Sequence, residues 1–173
     1  AETPSHESSP TDDSPWILWI AENDEETHLA VRGRGTGLHC EKFRQLAQAS
    51  LETGRRLIID LSGCTHLDSA FLGTLHEIVT STVEGRISVL TPCEAVRRLF
   101  AELGLKRVLD AIQEEPAEPP CPPSPVRQDP PARESQQRLL RAHEVLSELS
   151  DENRERFAGV VAALRAELGE DAG

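Results

Sequence analysis

The chain has 173 residues, a formal net charge of −12 at pH 7 and a pI of about 4.9, and this length suggests one modest domain with extensions. The acidic balance argues against binding to nucleic acids or anionic membranes, because both need a basic face. No apolar run approaches the roughly 20 residues of a membrane-spanning helix. The acidic N-terminus is unlike a signal peptide, so we expect a cytoplasmic protein with reduced cysteines.

The N-terminal third of the chain predicts a polar tail, two strands and a helix. Residues 1–14 are rich in Ser, Thr, Pro, Asp and Glu, and we expect them to be disordered. Short apolar runs at 16–20 and 28–32 flank an acidic turn and predict a β-hairpin. Three glycines within 33–37 predict a loop, and apolar residues at helical spacing predict a helix over 39–53.

A buried strand and a second helix are predicted next. Residues 57–61 are apolar on both faces, as expected of a parallel strand inside an α/β layer. A polar loop at 62–66 then leads to Asp68 and Ser69, where a helix must begin. The apolar stripe of this helix consists of Leu72, Leu75, Ile78, Val79 and Val83.

A third helix is predicted after a strand at 87–90. Thr91, Pro92 and Glu94 fit the N-cap, N1 and N3 positions of a capping box. The inward-facing residues of this helix, and the glycine that ends it, are Val96, Leu99, Phe100, Leu103 and Gly104.

The C-terminal part divides into a linker and a helical extension. Residues 114–131 hold eight of the twelve prolines, so they predict an extended linker with neither helix nor central strand. Residues 132–169 predict two helices, the second capped by Ser150. Their apolar stripes are Leu139, Ala142, Leu146 and Leu149, then Phe157, Val160, Val161, Leu164 and Leu168. Such short helices need a partner, so they should pair as a hairpin, dock on the domain or self-associate.

Ser69 is the main candidate for a functional side chain. A serine at a helix N-terminus caps free backbone N–H groups, and most such serines do no more. The same position tolerates a phosphate, because the unpaired N–H groups and the helix dipole favour negative charge. Asp68 is either a turn residue bonded to its own backbone or a group that orients the hydroxyl, holds the metal of a kinase or repels an added phosphate.

Two stretches of the sequence form a recognisable pattern. The first has a strand ending in Asp-Leu, a loop, an Asp-Ser pair and a Leu-Gly-x-Leu helix start; the second is an apolar helix ending in Leu-Gly-Leu. The residues are 60–61, 68–69, 72–75, 90–100 and 103–105. The pattern resembles the STAS family of anti-sigma-factor antagonists over about residues 15–113. It implies an α/β fold, a STAS-like mixed β-sheet with helices packed on one side, to which the chain adds a C-terminal helical hairpin.

The resemblance also implies a function, anti-sigma-factor antagonism by partner switching in bacterial transcription regulation. Ser69 would be phosphorylated, and its unphosphorylated surface would bind an anti-sigma factor with serine kinase activity; a phosphatase is a further candidate partner. The partner-binding residues would be Asp68, Ser69, Ala70, Phe71 and Thr74. No catalytic residues, cofactor, metal, nucleic acid or membrane insertion are implied, and self-association through the C-terminal helices is an added option.

Other interpretations stay open at this stage. A STAS subunit of a membrane lipid ABC transporter would act as an adaptor without phosphorylation, and a small hydrolase or nucleotide-binding protein is a third class. Arg34 lies in the glycine-rich stretch where the family often has an acidic residue. Phe71 either packs inward or faces a partner. Cys64 and His66 form only a weak candidate pair for a metal.

Overall fold

The computed structural model describes residues 16–90, 92–127 and 133–169, and the predicted tail over 1–14 lies outside them. The strands, in chain order, are β1 (Leu18–Glu22), β2 (Glu26–Val31), β3 (Gly33–Gly35), β4 (Arg56–Asp60), β5 (Cys64–Leu67), β6 (Ile87–Leu90), β7 (Ile112–Gln113) and β8 (Ser124–Pro125). The helices are α1 (Gly37–Glu52), α2 (Ser69–Thr80), α3 (Glu94–Leu103), α4 (Lys106–Asp110), α5 (Arg133–Glu148) and α6 (Asp151–Leu168).

A six-stranded mixed sheet forms the centre, in the order β7-β6-β4-β2-β1-β8. The β1–β2 and β1–β8 pairs are antiparallel, whereas β2–β4, β4–β6 and β6–β7 are parallel. The apolar run predicted as a parallel strand is β4, in which Leu57, Ile58 and Ile59 are all buried. The predicted α/β fold with a mixed sheet is confirmed.

The core lies between this sheet and the helices. Phe43 of α1 and Phe71 of α2 meet there, with their ring centroids 4.9 Å apart, and both are fully buried. Ile59 of β4 and Leu75 of α2 are fully buried, but Leu99, predicted to face inward on α3, is only partly buried. The prediction for Leu99 therefore holds only in part, because α3 turns that side chain towards the rim.

Two segments predicted as loops, 33–37 and 62–66, pair with each other in part. β3 and β5 form a small parallel sheet in which Gly35 lies opposite Leu67. A Cβ atom at Gly35 would lie 2.6 Å from Leu67 Cδ2, so any other residue there would force the buried Leu67 side chain to shift. The glycines of this stretch predict a loop, but in the structure Gly35 permits close packing beside the start of α2.

The start of α3 differs from the predicted capping box. The helix begins at Glu94 with Cys93 as its N-cap, and Thr91 lies outside the described residues. Cys93 has extended backbone angles, φ −63° and ψ 163°, so Pro92 precedes the helix instead of occupying its first turn. The predicted end is confirmed, because Gly104 adopts a left-handed conformation with φ 76°.

Residues 124–126 of the Pro-rich segment pair with the sheet, which its composition did not predict, and residues 128–131 lie outside the described residues. Ser124 and Pro125 form β8 and pair with Ile20 and Trp19 at the outer edge of β1. The N–H of Val126 donates to the Leu18 carbonyl over 2.9 Å, and the Val126 side chain is buried. An edge position suits proline, because its backbone nitrogen has no hydrogen to donate to a neighbouring strand. Because β7 and β8 lie at opposite edges, the segment between them joins the two edges of the sheet.

The C-terminal helices form the predicted hairpin, and the hairpin docks on the domain. Ser150 caps α6 by accepting a 3.0 Å hydrogen bond from the N–H of Asn153. The buried Asn153 amide donates to the carbonyls of Leu146 and Leu103, which links the hairpin to the end of α3. The α6 stripe is less covered than predicted, since Val160 is 40% exposed. Among the helices described, none has the length and apolar character needed to cross a membrane.

Candidate functional site

Asp68 joins the starts of two helices. It is the N-cap of α2, where its Oδ1 accepts a 2.9 Å hydrogen bond from the N–H of Phe71. Its Oδ2 accepts a 2.8 Å hydrogen bond from the N–H of Gly37, the first residue of α1. Its own N–H donates to the Gly35 carbonyl. Both carboxylate oxygens therefore accept hydrogen bonds from backbone N–H groups. Asp68 caps α2 and also holds the start of α1 beside it.

Ser69 is the first residue of α2 and not its cap. Its Oγ lies 2.6 Å from Nε2 of His143 in α5, a residue 74 positions away. The other ring nitrogen, Nδ1, lies 2.7 Å from the carbonyl oxygen of Leu139. Because a carbonyl only accepts, Nδ1 carries a proton, and in the tautomer protonated at Nδ1 alone Nε2 accepts from the Ser69 hydroxyl.

Helix α5 lies directly against α2, on the face of α2 that carries Ser69. A Cβ atom at Gly73 would lie 2.5 Å from the carbonyl oxygen of Ala142, so the two backbones are in contact there. Ala142 is fully buried and His143 is 5% exposed. The outer rim of this contact is charged, because Nε of Arg141 lies 3.9 Å from Oε1 of Glu77. Ser69, Gly73 and Glu77 together are called the covered face of α2 below.

The five residues predicted to meet a partner do not form one exposed patch. Ala70, Phe71 and Thr74 are buried, while Asp68 and Ser69 are partly exposed. Phe71 packs inward against α1, which decides between the two interpretations of this residue. The Thr74 hydroxyl donates to the Ala70 carbonyl within α2. In this conformation, only Asp68 and Ser69 of the predicted set reach the surface.

The start of α1 adds a histidine and an exposed leucine beside Asp68. Nδ1 of His39 accepts a 3.0 Å hydrogen bond from the N–H of Thr36. Burial lowers the pKa of His39, although the charge of Asp68 acts in the opposite direction. Leu38, which neighbours Gly37, is 66% exposed. This end of the domain thus presents an apolar side chain that α5 leaves uncovered.

Comparison with known proteins identifies the domain. The family described as "Mlab, STAS domain" matches residues 19–111, more than half of the chain. The chain belongs to the STAS domain family. No curated protein matches it. A solved structure of the anti-sigma factor antagonist SpoIIAA in its unphosphorylated form is similar, at 17% identity and a TM-score of 0.47, over 57% of this chain and 88% of that chain.

The STAS match ends at residue 111, so the residue bonded to Ser69 comes from outside the STAS domain. Sequence reasoning missed His143, because nothing in a local pattern links it to a serine across a Pro-rich segment. One signal was present. His143 lies between Ala142 and Leu146 on the inward side of α5, and a polar residue on an apolar stripe usually has a buried partner.

The two buried cysteines of the STAS domain, Cys40 and Cys64, are unreactive in character. Burial raises the pKa of Cys40 to about 12 and that of Cys64 to about 11, so both are thiols near neutral pH. All four cysteines are free. In the described part of the chain, no group of three or more His, Cys, Asp or Glu side chains is placed to hold a metal ion.

Proposed function

We propose that this STAS domain is an anti-sigma-factor antagonist that switches partners through Ser69. The observation that supports it most is the place of Ser69, directly after Asp68 in the family motif and at the first position of α2. Unphosphorylated, the surface around Ser69 binds an anti-sigma factor with serine kinase activity and frees a sigma factor. The protein is then a kinase substrate and a binding module in the cytoplasm, not an enzyme.

Electrostatics favour a modification here that leaves helix α2 itself intact. A phosphate adds roughly −1.5 to −2 charges at pH 7, and the N-terminus of a helix stabilises negative charge. Helix α2 therefore survives phosphorylation. Asp68 accepts hydrogen bonds from two backbone N–H groups directly beside the phosphate. The bulk and the hydration of the phosphate expel a partner that packs closely against the hydroxyl.

Capture with the full chain tests this function. Ser69→Ala should bind the anti-sigma factor but gain no phosphate from it and ATP. Ser69→Asp should weaken binding by about 1–3 kcal/mol, the scale of a charge placed into an interface. Thr65→Asp adds the same charge at an exposed position nearby and should bind normally. Phosphate on Thr65 or Thr74, or unchanged binding of Ser69→Asp, would show that Ser69 is not the switch.

A second function is favoured by the bond between Ser69 and His143. An adaptor subunit of a membrane lipid ABC transporter needs no phosphorylation, and a hydroxyl already engaged by α5 suits such a static role. This alternative predicts co-purification with an ATPase subunit and no phosphate on Ser69. The same capture experiment, read by mass spectrometry, separates the two functions.

A further inference from the structure

The hairpin of α5 and α6 competes for the surface that the proposed function needs. We propose that α5 occupies, within the chain, the place on the covered face of α2 where a helix of the anti-sigma factor binds, so that hairpin and partner exclude each other. This inference rests on the proposed function of Ser69. It adds a closed state, in which the domain neither binds its partner nor accepts a phosphate.

The first support is the engagement of the Ser69 hydroxyl. Its Oγ is 2.6 Å from Nε2 of His143, and the Leu139 carbonyl fixes the ring so that Nε2 accepts. A phosphoryl group cannot enter between two atoms this close. A kinase must also bring its own base to the serine hydroxyl, where His143 now lies. Phosphorylation therefore requires α5 to move away.

The second support is the character of α2. Eight of its twelve residues are buried, including residues on both sides of the helix, and a helix that is apolar all round is suited to burial between two layers. The sheet and α1 provide one layer, and α5 provides the other through the contact between Ala142 and Gly73. Without α5, the covered face has a glycine at its centre and polar side chains at its two ends, and the glycine lets another helix approach at close range.

The third support is the mixture of contacts that holds α5 in place. Arg138 pairs with Glu41 of α1, and Arg141 lies near Glu77 of α2. Both arginines are well exposed, and such pairs contribute little to stability but define the register of the docked helix. The covered face therefore recognises an α-helix that carries small residues at its centre and cations at its edge, and a partner helix with this pattern would compete with α5.

Hydrogen exchange on the full chain tests whether the hairpin opens by itself. Ala142→Glu places a charged side chain against Gly73 and should release α5, whereas Ala163→Glu makes the same change at an exposed position of α6. We expect α5 amides to exchange about tenfold faster or more in Ala142→Glu, with β4 and β6 unchanged. His143→Ala should act in the same direction by a smaller factor. Equal acceleration of α5, β4 and β6, or no acceleration, would overturn the proposal.

Phosphorylation by the captured kinase then tests exclusion. The rate of phosphate transfer to Ser69 should be about tenfold higher or more in Ala142→Glu than in the wild-type chain or Ala163→Glu, in line with the larger open population. If hydrogen exchange shows that α5 is open in Ala142→Glu but all three chains are phosphorylated at equal rates, the exclusion is overturned. The proposed function is then left intact. No phosphate on any of them overturns the proposed function, and with it the exclusion.

Discussion

At the residue scale, Asp68 shows how one side chain supports both fold and site. Its two oxygens hold the N-termini of α1 and α2 together, and the backbone N–H of the same residue bonds to Gly35. From the sequence, Asp68 was expected either to bond to its own backbone or to act on the serine beside it. The bond to Gly37 is not local, because 31 residues separate the two, so no turn pattern could reveal it.

Replacement of Asp68 should destabilise the chain more than an ordinary cap. Asp68→Ala removes the acceptor for two helix N-termini, and we expect a loss of about 1–3 kcal/mol in the free energy of unfolding, where a single cap costs roughly 0.5–2 kcal/mol. Asp68→Asn keeps one acceptor oxygen and should lose less. Urea denaturation of the three chains measures this, and a loss in Asp68→Ala no larger than in Asp68→Asn would contradict the double role.

At the element scale, apolar periodicity predicted the main strands and helices, but it did not predict the short strands β3, β5 and β8. The strands β1, β2, β4 and β6 and the helices α1 and α2 follow apolar patterns of sufficient length, and their existence was predicted. β3, β5 and β8 are two to four residues long and are rich in glycine, polar residues or proline. Their pairing comes from distant partners, such as Leu67 opposite Gly35, and local sequence holds no sign of it.

The inner faces of α2 and α3 should differ in their sensitivity to truncation. Leu75 of α2 is fully buried, so Leu75→Ala should cost about 2–5 kcal/mol of unfolding free energy. Leu99 of α3 is only partly buried, so Leu99→Ala leaves a site that water can fill and should cost clearly less. Thermal unfolding followed by circular dichroism compares them. An equal loss for both would mean that Leu99 is a core residue after all.

At the scale of the whole molecule, the sequence predicted a hairpin but left its docking site open. The options were pairing of the two helices, docking on the domain and self-association. The structure shows the first two, with Leu146 and Phe157 buried in the common core. The sequence could not decide among these options. An apolar stripe indicates that a helix face is covered, but it does not identify the surface that covers it.

Self-association through the helices remains a prediction of the sequence, and the structure limits where it can occur. The inner stripes are already used, so a second copy would have to contact the outer side of α6, where Val160 is 40% exposed. We expect a monomeric mass for the full chain by light scattering, because one exposed valine is far from the area of a stable interface. Should a dimer form and Val160→Asp dissolve it, the outer side of α6 is the interface.

The attachment of Val126 to the sheet edge determines how far a released hairpin can travel. Val126 bonds to Leu18, and α5 starts at Arg133, so only residues 127–132 lie between the anchor and the helix. A chain of that length reaches at most about 25 Å. Short tethers of this kind give effective concentrations of about millimolar. A competing partner therefore faces the same effective concentration of α5 whatever the concentration of the protein. The free partner concentration needed to displace α5 is then a property of each molecule and does not depend on how abundant the protein is.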